Sequence, residues 1–316
     1  MQSTKLGTLP RGGLPIAKTS LVTWRKKRQI VAFLFILPAL INFFIFRYIP
    51  IYKATIASIY EYSLLGGYGN FVGLTHYTRL LEDAVFWRSM QATGLYVLYK
   101  VPLQLALSLG LALMLERQTI GTAIVRSAIL TPMVTSVIIV SIIWSMIYHA
   151  QNGLIQSFLM ALGLPKIAFL SNINRAMPAV AAMMIWKDLG FSFIIFVAGL
   201  KGIPEVYYEA AKIDGASPWQ MLRYITIPLL RPIMMFVVVT STIFSFQVFV
   251  PVYQMTQGGP LDSTKVIVYY IYQQGFRFQD MGYASAISMV TFVLLLSISI
   301  FQMRLLRTEE LINNQV

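Results

Sequence analysis

Lys187 and Asp188 stand side by side in "MMIWKDLGFSF", midway along an apolar stretch long enough to cross a bilayer. Ionised side chains in hydrocarbon are costly enough that they pair, face a cavity, or serve a transport route. Neighbouring residues on a helix diverge by about 100°, so these two point to different partners. Lys100, in "LYVLYKVPLQL", is a further charge in such a stretch and has no acid four residues away on either side. Three readings are open for it: its ammonium reaches the interface, meets Asp188, or faces a solute path and favours an anion. No nucleophile, base and acid accompany these charges, so the chemistry they offer is recognition.

Polar residues also collect in "VVVTSTIFSFQVFVPVYQ". There Ser241, Phe244, Ser245 and Val248 follow the i, i+3, i+4, i+7 spacing of one helical face, with Gln247 beside it. Hydroxyls and an amide around an aromatic ring suit a sugar, which has hydroxyls at its edges and apolar C–H faces. The alternative is packing, since small hydroxylated residues let membrane helices approach. Just past Asp188, Gly190 admits a ligand or a helix, and Phe193 lies one turn on along the same face.

The elements holding these residues follow from composition. The chain has 316 residues, 57% of them hydrophobic and 12% charged, and a mean hydropathy of +0.68. A soluble domain carries about 25% charged residues, so this is a membrane protein. There is no cysteine, and the two histidines, His76 and His149, are far apart, which argues against a metal site. No glycine-rich phosphate loop ending in Lys-Ser/Thr is present, so the chain is not expected to hydrolyse nucleotide. The net charge of +13 starts in a tail whose basic residues, from Lys5 to Arg28, have no acid among them. Such a tail beside a long apolar run reads as the cytoplasmic flank of a retained first span. It favours anionic membrane lipid over nucleic acid.

Six spans are expected, at 29–49, 92–115, 123–147, 176–200, 226–250 and 283–303, with Pro132, Pro228 and Pro232 interrupting the third and fifth. Lys and Arg are about twice as frequent on the side holding the basic tail, which places both termini in the cytoplasm. The expected organisation is a basic cytoplasmic tail (1–28), a first span (29–49), an extracytoplasmic loop (50–91), a core of five spans (92–303) and a cytoplasmic tail (304–316).

One cytoplasmic loop, 201–225, is compact and polar. Pro204 and Glu205 suit the start of a helix and Gly215 suits a left-handed stop. Ser217, Pro218 and Gln220 then form a capping box for a second short helix, "PWQMLRYI", that runs on towards the next span. The corner presents the small residues Ala210, Ala211 and Ala216 with Glu209 and Asp214 beside them. A lipid-facing helix favours a basic face; this Glu/Ala-rich corner suits a cytoplasmic protein partner.

The same loop resembles the coupling loop of ABC importer permeases: Glu209-Ala210-Ala211, then Gly215, then Ile225-Thr226-Ile227-Pro228, with Ile227 where the pattern has Leu. The stretches "FLFILPALINFFIFRYIPIY", "WKDLGFSFIIFVAGLKGIPEVYYEAAKIDGAS" and "MTQGGP" resemble the carbohydrate branch of that family, the maltose/glycerol-3-phosphate type, over about residues 30–305. The resemblance implies an all-α membrane protein of six transmembrane helices with the coupling helix-turn-helix between the fourth and fifth. It implies a non-catalytic subunit in a bacterial or archaeal inner membrane, forming half of a translocation path with a second permease. Two ATPase subunits would bind ATP and Mg, with no cofactor on this chain, and an extracytoplasmic solute-binding protein would dock on the outer loops. Glu209 would pair with a basic ATPase residue and Gly215 would make the turn. Positions equivalent to Gly190, Ser241 and Phe244, and also Phe193 and Ser245, would contact sugar. An anionic sugar, glycerol phosphate or polyol is the alternative substrate. A secondary transporter is the alternative class, disfavoured because no internal repeat is visible.

Overall fold

A computed structural model describes residues 19–115 and 120–307. The basic tail as far as Lys18 and the terminal segment 308–316 lie outside the described residues. The chain divides into two units, residues 1–53 and 54–316. The first holds α1 (Thr19–Phe43), a π-helical turn (Phe44–Tyr48) and the opening of α2 (Ile49–Ala57). The run Arg28–Ala57 is 30 residues long, and its most apolar 18-residue window has a mean hydropathy of 2.4. That is about 45 Å of helix against about 30 Å of hydrocarbon. The span expected at 29–49 runs on, and the helix passes through Pro50. The π turn ends two residues earlier, at Tyr48, with the Ile49 N–H reaching back five residues to the Phe44 carbonyl. That shift of the ladder absorbs a residue with no N–H to give.

The second unit begins with a hairpin, β1 (Tyr60–Ser63) against β2 (Gly67–Phe71), followed by α3 (Thr75–Glu82). The segment 50–91, expected as an extracytoplasmic loop, thus contains regular structure of its own. Gly67 turns the chain at φ +72° and Tyr62 stacks on Tyr68 at 4.4 Å across the strands. The next helix, α4 (Ala84–Met114), starts eight residues before the expected boundary because the Asp83 side chain caps it, accepting from the N–H groups of Val85 and Phe86.

The expected third span, 123–147, is not one helix. It is α5 (Ile120–Val134) and α6 (Val137–Ile147), bent 104° apart. The break follows Pro132, and its carbonyls find partners locally: Thr135 donates to Pro132 O at 2.6 Å and Lys187 reaches Met133 O at 3.4 Å. After α7 (Leu154–Ala161) comes α8 (Ile173–Lys201), the central element, with 56% of its most apolar window buried. It packs chiefly against α4 and α5. Gly190 lies at the α5 contact, where a Cβ would come within 2.8 Å of the Ile129 carbonyl.

Helices α9 (Glu205–Ile213) and α10 (Pro218–Met221) form the expected corner. A π turn (Leu222–Thr226) then leads past Pro228 into α11 (Ile227–Phe246), by the same displaced ladder as at Pro50. The run Pro218–Phe246 is one continuous helix of 29 residues. The fifth span was expected to continue to 250. Instead it stops at Phe246, Phe249 leaves helical geometry at φ −138°, and α12 (Val250–Met255) restarts with Pro251 in its first turn. Helices α6 and α12, the far halves of the two interrupted elements, pack together. The chain ends in α13 (Ile267–Tyr272), a π turn (Gln273–Arg277) and α14 (Met281–Arg307). Among the described residues, five helical runs are long and apolar enough to cross a membrane, and six spans result if the bent pair counts as one.

At the hairpin end, Asp83 gathers three segments. Besides capping α4 it accepts from the hydroxyls of Tyr270 and, at 2.6 Å, Tyr283. Partial burial pushes its carboxyl up, but the bonds from both tyrosines and from the backbone of Phe86 and Val85 outweigh this and hold it below the usual value. Arg79 bonds Asp280 at 2.7 Å and lies over the Tyr283 ring at 3.9 Å. A carboxyl depressed by folding contributes stability above its unfolded value of about 3.9, and the contribution disappears as pH falls through the lower folded value. The melting temperature of detergent-solubilised protein should therefore drop as pH is taken below about 4, and Asp83→Asn should lower it at pH 7 while shrinking the acid-dependent drop. Gly282 tests the same junction sterically. A Cβ there would sit 2.4 Å from the Tyr60 carbonyl, so Gly282→Ala should cost about 1–3 kcal/mol by overpacking, read as a lower midpoint of unfolding.

Candidate functional site

A cavity of about 430 Å³ lies where α4, α8, α11 and the two helix breaks meet. Its walls follow helical periodicity: Tyr96, Lys100 and Gln104 from α4, and Met184, Asp188 and Phe191 from α8. Met133 and Val137 flank the α5/α6 break. Ser241 and Phe244 come from the end of α11, and Gln247 to Pro251 from the segment where that helix stops.

Lys100 resolves to one of its three readings. Its ammonium bonds Asp188 Oδ2 at 2.6 Å, and the side chains are 3% and 28% exposed respectively. Gln104 braces the pair, its Nε2 donating to the Asp188 carbonyl at 3.2 Å and to Ser192 Oγ at 2.9 Å. Phe244 is exposed and meets Phe191 edge-on, with centroids 6.3 Å apart. The structure thus brings Lys100, Asp188, Ser241, Phe244 and Gln247 together on one cavity, with Val248. It places Lys187 against the α5 terminus, Gly190 in the α5–α8 contact, Phe193 in a core with Phe196 and Leu230, and Ser245 fully buried beside the cavity residues. Tyr96, Gln104 and Phe191 were not anticipated. A polar i, i+4, i+8 stripe through Lys100 was the signal for the first two.

The corner at 205–221 is built from its own caps. Gly215 takes φ +76°, with its N–H bonding Lys212 O and the Ala216 N–H bonding Ala211 O at 2.9 Å, a Schellman stop. Ser217 and Gln220 bond each other's backbone at 3.3 and 2.7 Å. The Tyr208 hydroxyl meets Thr226 Oγ1 at 2.9 Å, tying α9 to the root of α11; this tie was not read from the sequence. Glu209, Ala210 and Asp214 are exposed, and so are the apolar Ile213 (87%) and Trp219 (67%).

Residues 104–308 match the family model described as binding-protein-dependent transport system inner membrane component. The chain belongs to this family. Relatives of this permease include the lactose transport system permease protein LacF of Rhizobium radiobacter, 31% identical over 91% of this chain and 97% of that one. The probable ABC transporter permease protein YesP of Bacillus subtilis is 35% identical over 85% and 88%. Among solved structures, a chain of a bacterial alginate ABC transporter, in complex with a periplasmic protein bound to an alginate pentasaccharide, superposes with a TM-score of 0.78. It is 25% identical and the match covers 88% of this permease and 95% of that chain. Membership makes the chain a multi-pass inner-membrane permease component. The ion pair yields a test of the permease fold: Lys100→Met leaves a mostly buried carboxylate unpaired and should cost about 3 kcal/mol, whereas Lys100→Met/Asp188→Asn should recover most of the loss in detergent unfolding.

Proposed function

We propose that this chain forms half of the translocation path of an ATP-driven importer that receives carbohydrate from an extracytoplasmic binding protein. The observation that carries this reading is the unbroken helix Pro218–Phe246, which joins the exposed corner to the cavity. Over about 43 Å it links a rigid docking knob to Ser241 and Phe244 at the site. The knob has the properties a mechanical joint needs: capped ends, a cross-tie from Tyr208 to Thr226, and surface groups without a partner in the chain's core. In this reading Glu209 and Asp214 pair with basic residues of an ATPase subunit, Ala210, Ala211 and Ala216 let it approach, and closing of the ATPase dimer swings α11. ATP and Mg reside on two such subunits, and a second permease completes the path. The knob and both termini face the cytoplasm; the hairpin end faces outward and receives the binding protein.

Carbohydrate is supported by the relatives and by the cavity, where an amide, a hydroxyl and a carboxylate surround Phe244. The relatives divide on charge: one is named for lactose, while alginate is an acidic polysaccharide. Purification of the chain from its native membrane should bring down a second permease and an ATP-binding subunit in stoichiometric amounts by mass spectrometry. Glu209→Lys should then cut sugar uptake by at least about tenfold, with melting unchanged because the residue is exposed. Gly215→Val should do the same through the cost of a β-branched residue at positive φ. Normal uptake in a Glu209→Lys complex that retains its ATPase would remove the joint from the mechanism.

A further inference from the structure

Lys100 and Asp188 are the charged residues among the described residues that line the membrane cavity, and they are not equally available. The ammonium is 3% exposed and committed to the carboxylate, which is 28% exposed. What the pair shows a solute is therefore carboxylate. The neighbouring cation adds nothing, since Lys187 is directed to the Met133 carbonyl on the α5 side. Two further polar atoms on the cavity wall are buried and have no hydrogen-bond partner among the described residues: the Tyr96 hydroxyl and Gln104 Oε1. Buried polar atoms are nearly always paired, and inside a membrane a missing partner points to a ligand or to water that supplies it.

These groups make a recognisable set. The phenol can donate, the amide oxygen and the carboxylate accept, and the exposed Phe244 ring offers an apolar face. A sugar hydroxyl both donates and accepts and so can satisfy all three. A carboxylate, phosphate or sulfate on a solute only accepts; it would meet Asp188 as a like charge and find Lys100 already neutralised. We propose that the cavity selects uncharged, polyhydroxylated solutes, with Asp188 as the residue that accepts a solute hydroxyl and turns anions away. Lys100 is a positioning residue: its 2.6 Å bond holds the Asp188 carboxylate in place, while Gln104 orients the helix turn that carries it. This rests on reading the chain as a carbohydrate permease and assigns the charge class of its cargo.

The test uses the complete transporter, with partner permease, ATPase and binding protein, in proteoliposomes, and radiolabelled lactose, maltose and arabinotriose against digalacturonate. Wild type should import at least one neutral sugar and no digalacturonate. Lys100→Met/Asp188→Asn should assemble with its partners yet lose neutral-sugar uptake by about tenfold or more, the scale of a hydrogen bond to a charged group. Tyr96→Phe, which removes an unpartnered hydroxyl and leaves packing intact, should raise the half-saturating sugar concentration several-fold without lowering the melting temperature. Wild-type uptake of digalacturonate at the neutral-sugar rate would overturn the charge assignment and leave the carbohydrate reading standing. Full uptake in either variant would reduce its residues to packing and overturn their role in recognition. Import of none of the saccharides, neutral or acidic, would overturn the proposed function itself.

Discussion

In hydrocarbon a polar group must find its partner within the protein, and the architecture of this permease depends on how that demand is met. Where helices are whole, the backbone meets it alone. Where they are interrupted, side chains take over: Thr135 and Lys187 serve the carbonyls at the end of α5, and the π turns at Phe44–Tyr48 and Leu222–Thr226 reset the ladder ahead of Pro50 and Pro228. The Lys100–Asp188 pair belongs to the same logic. Neither charge is tolerable by itself at that depth, so each holds the other, and α4 is thereby pinned to α8 at the level of the cavity.

Satisfying polar groups this way leaves a specific place for irregular backbone. Helices α5/α6 and α11/α12 both break beside the cavity, and their far halves pack against each other. Broken helices are sustainable at membrane depth only where protein or a polar cavity covers the freed groups, so the breaks and the cavity need one another. The cost of interruption is concentrated where a solute would pass, and the long continuous elements, α4, α8 and Pro218–Phe246, carry the surrounding order.

Much of this was legible in the sequence where a residue type has few physical uses. Gly215, Ser217, Pro218 and Gln220 can hardly serve anything but a stop followed by a capped start, and the structure forms both. Pairing with Asp188 was one of three readings open for Lys100, and the structure forms that pair. Less legible were features set by tertiary contact. At the 104° bend after Pro132, Lys187 donates to the carbonyl of Met133, 54 residues before it. Tyr62 and Tyr68 form a hairpin because they stack across a turn, a pairing that hydropathy does not register. Of the stripe Ser241, Phe244, Ser245 and Val248, Ser245 is fully buried and off the cavity wall, because the helix ends one residue later and the following backbone forms that wall.

Rigidity is distributed accordingly. The knob is stiff because its ends are capped and Tyr208 ties it to Thr226, so a displacement there cannot be dissipated within the corner. It enters a helix whose first turns hold the π turn ahead of Pro228 and whose last turns present Ser241 and Phe244. That helix ends in three residues, Gln247 to Phe249, that are held by no regular ladder. Under the proposed coupling, a movement imposed at Glu209 would travel through continuous hydrogen-bonded backbone and be released where the backbone pattern stops, at the cavity wall. A capped, cross-tied input and an irregular output would let one helix both transmit force and change the shape of the cavity it lines.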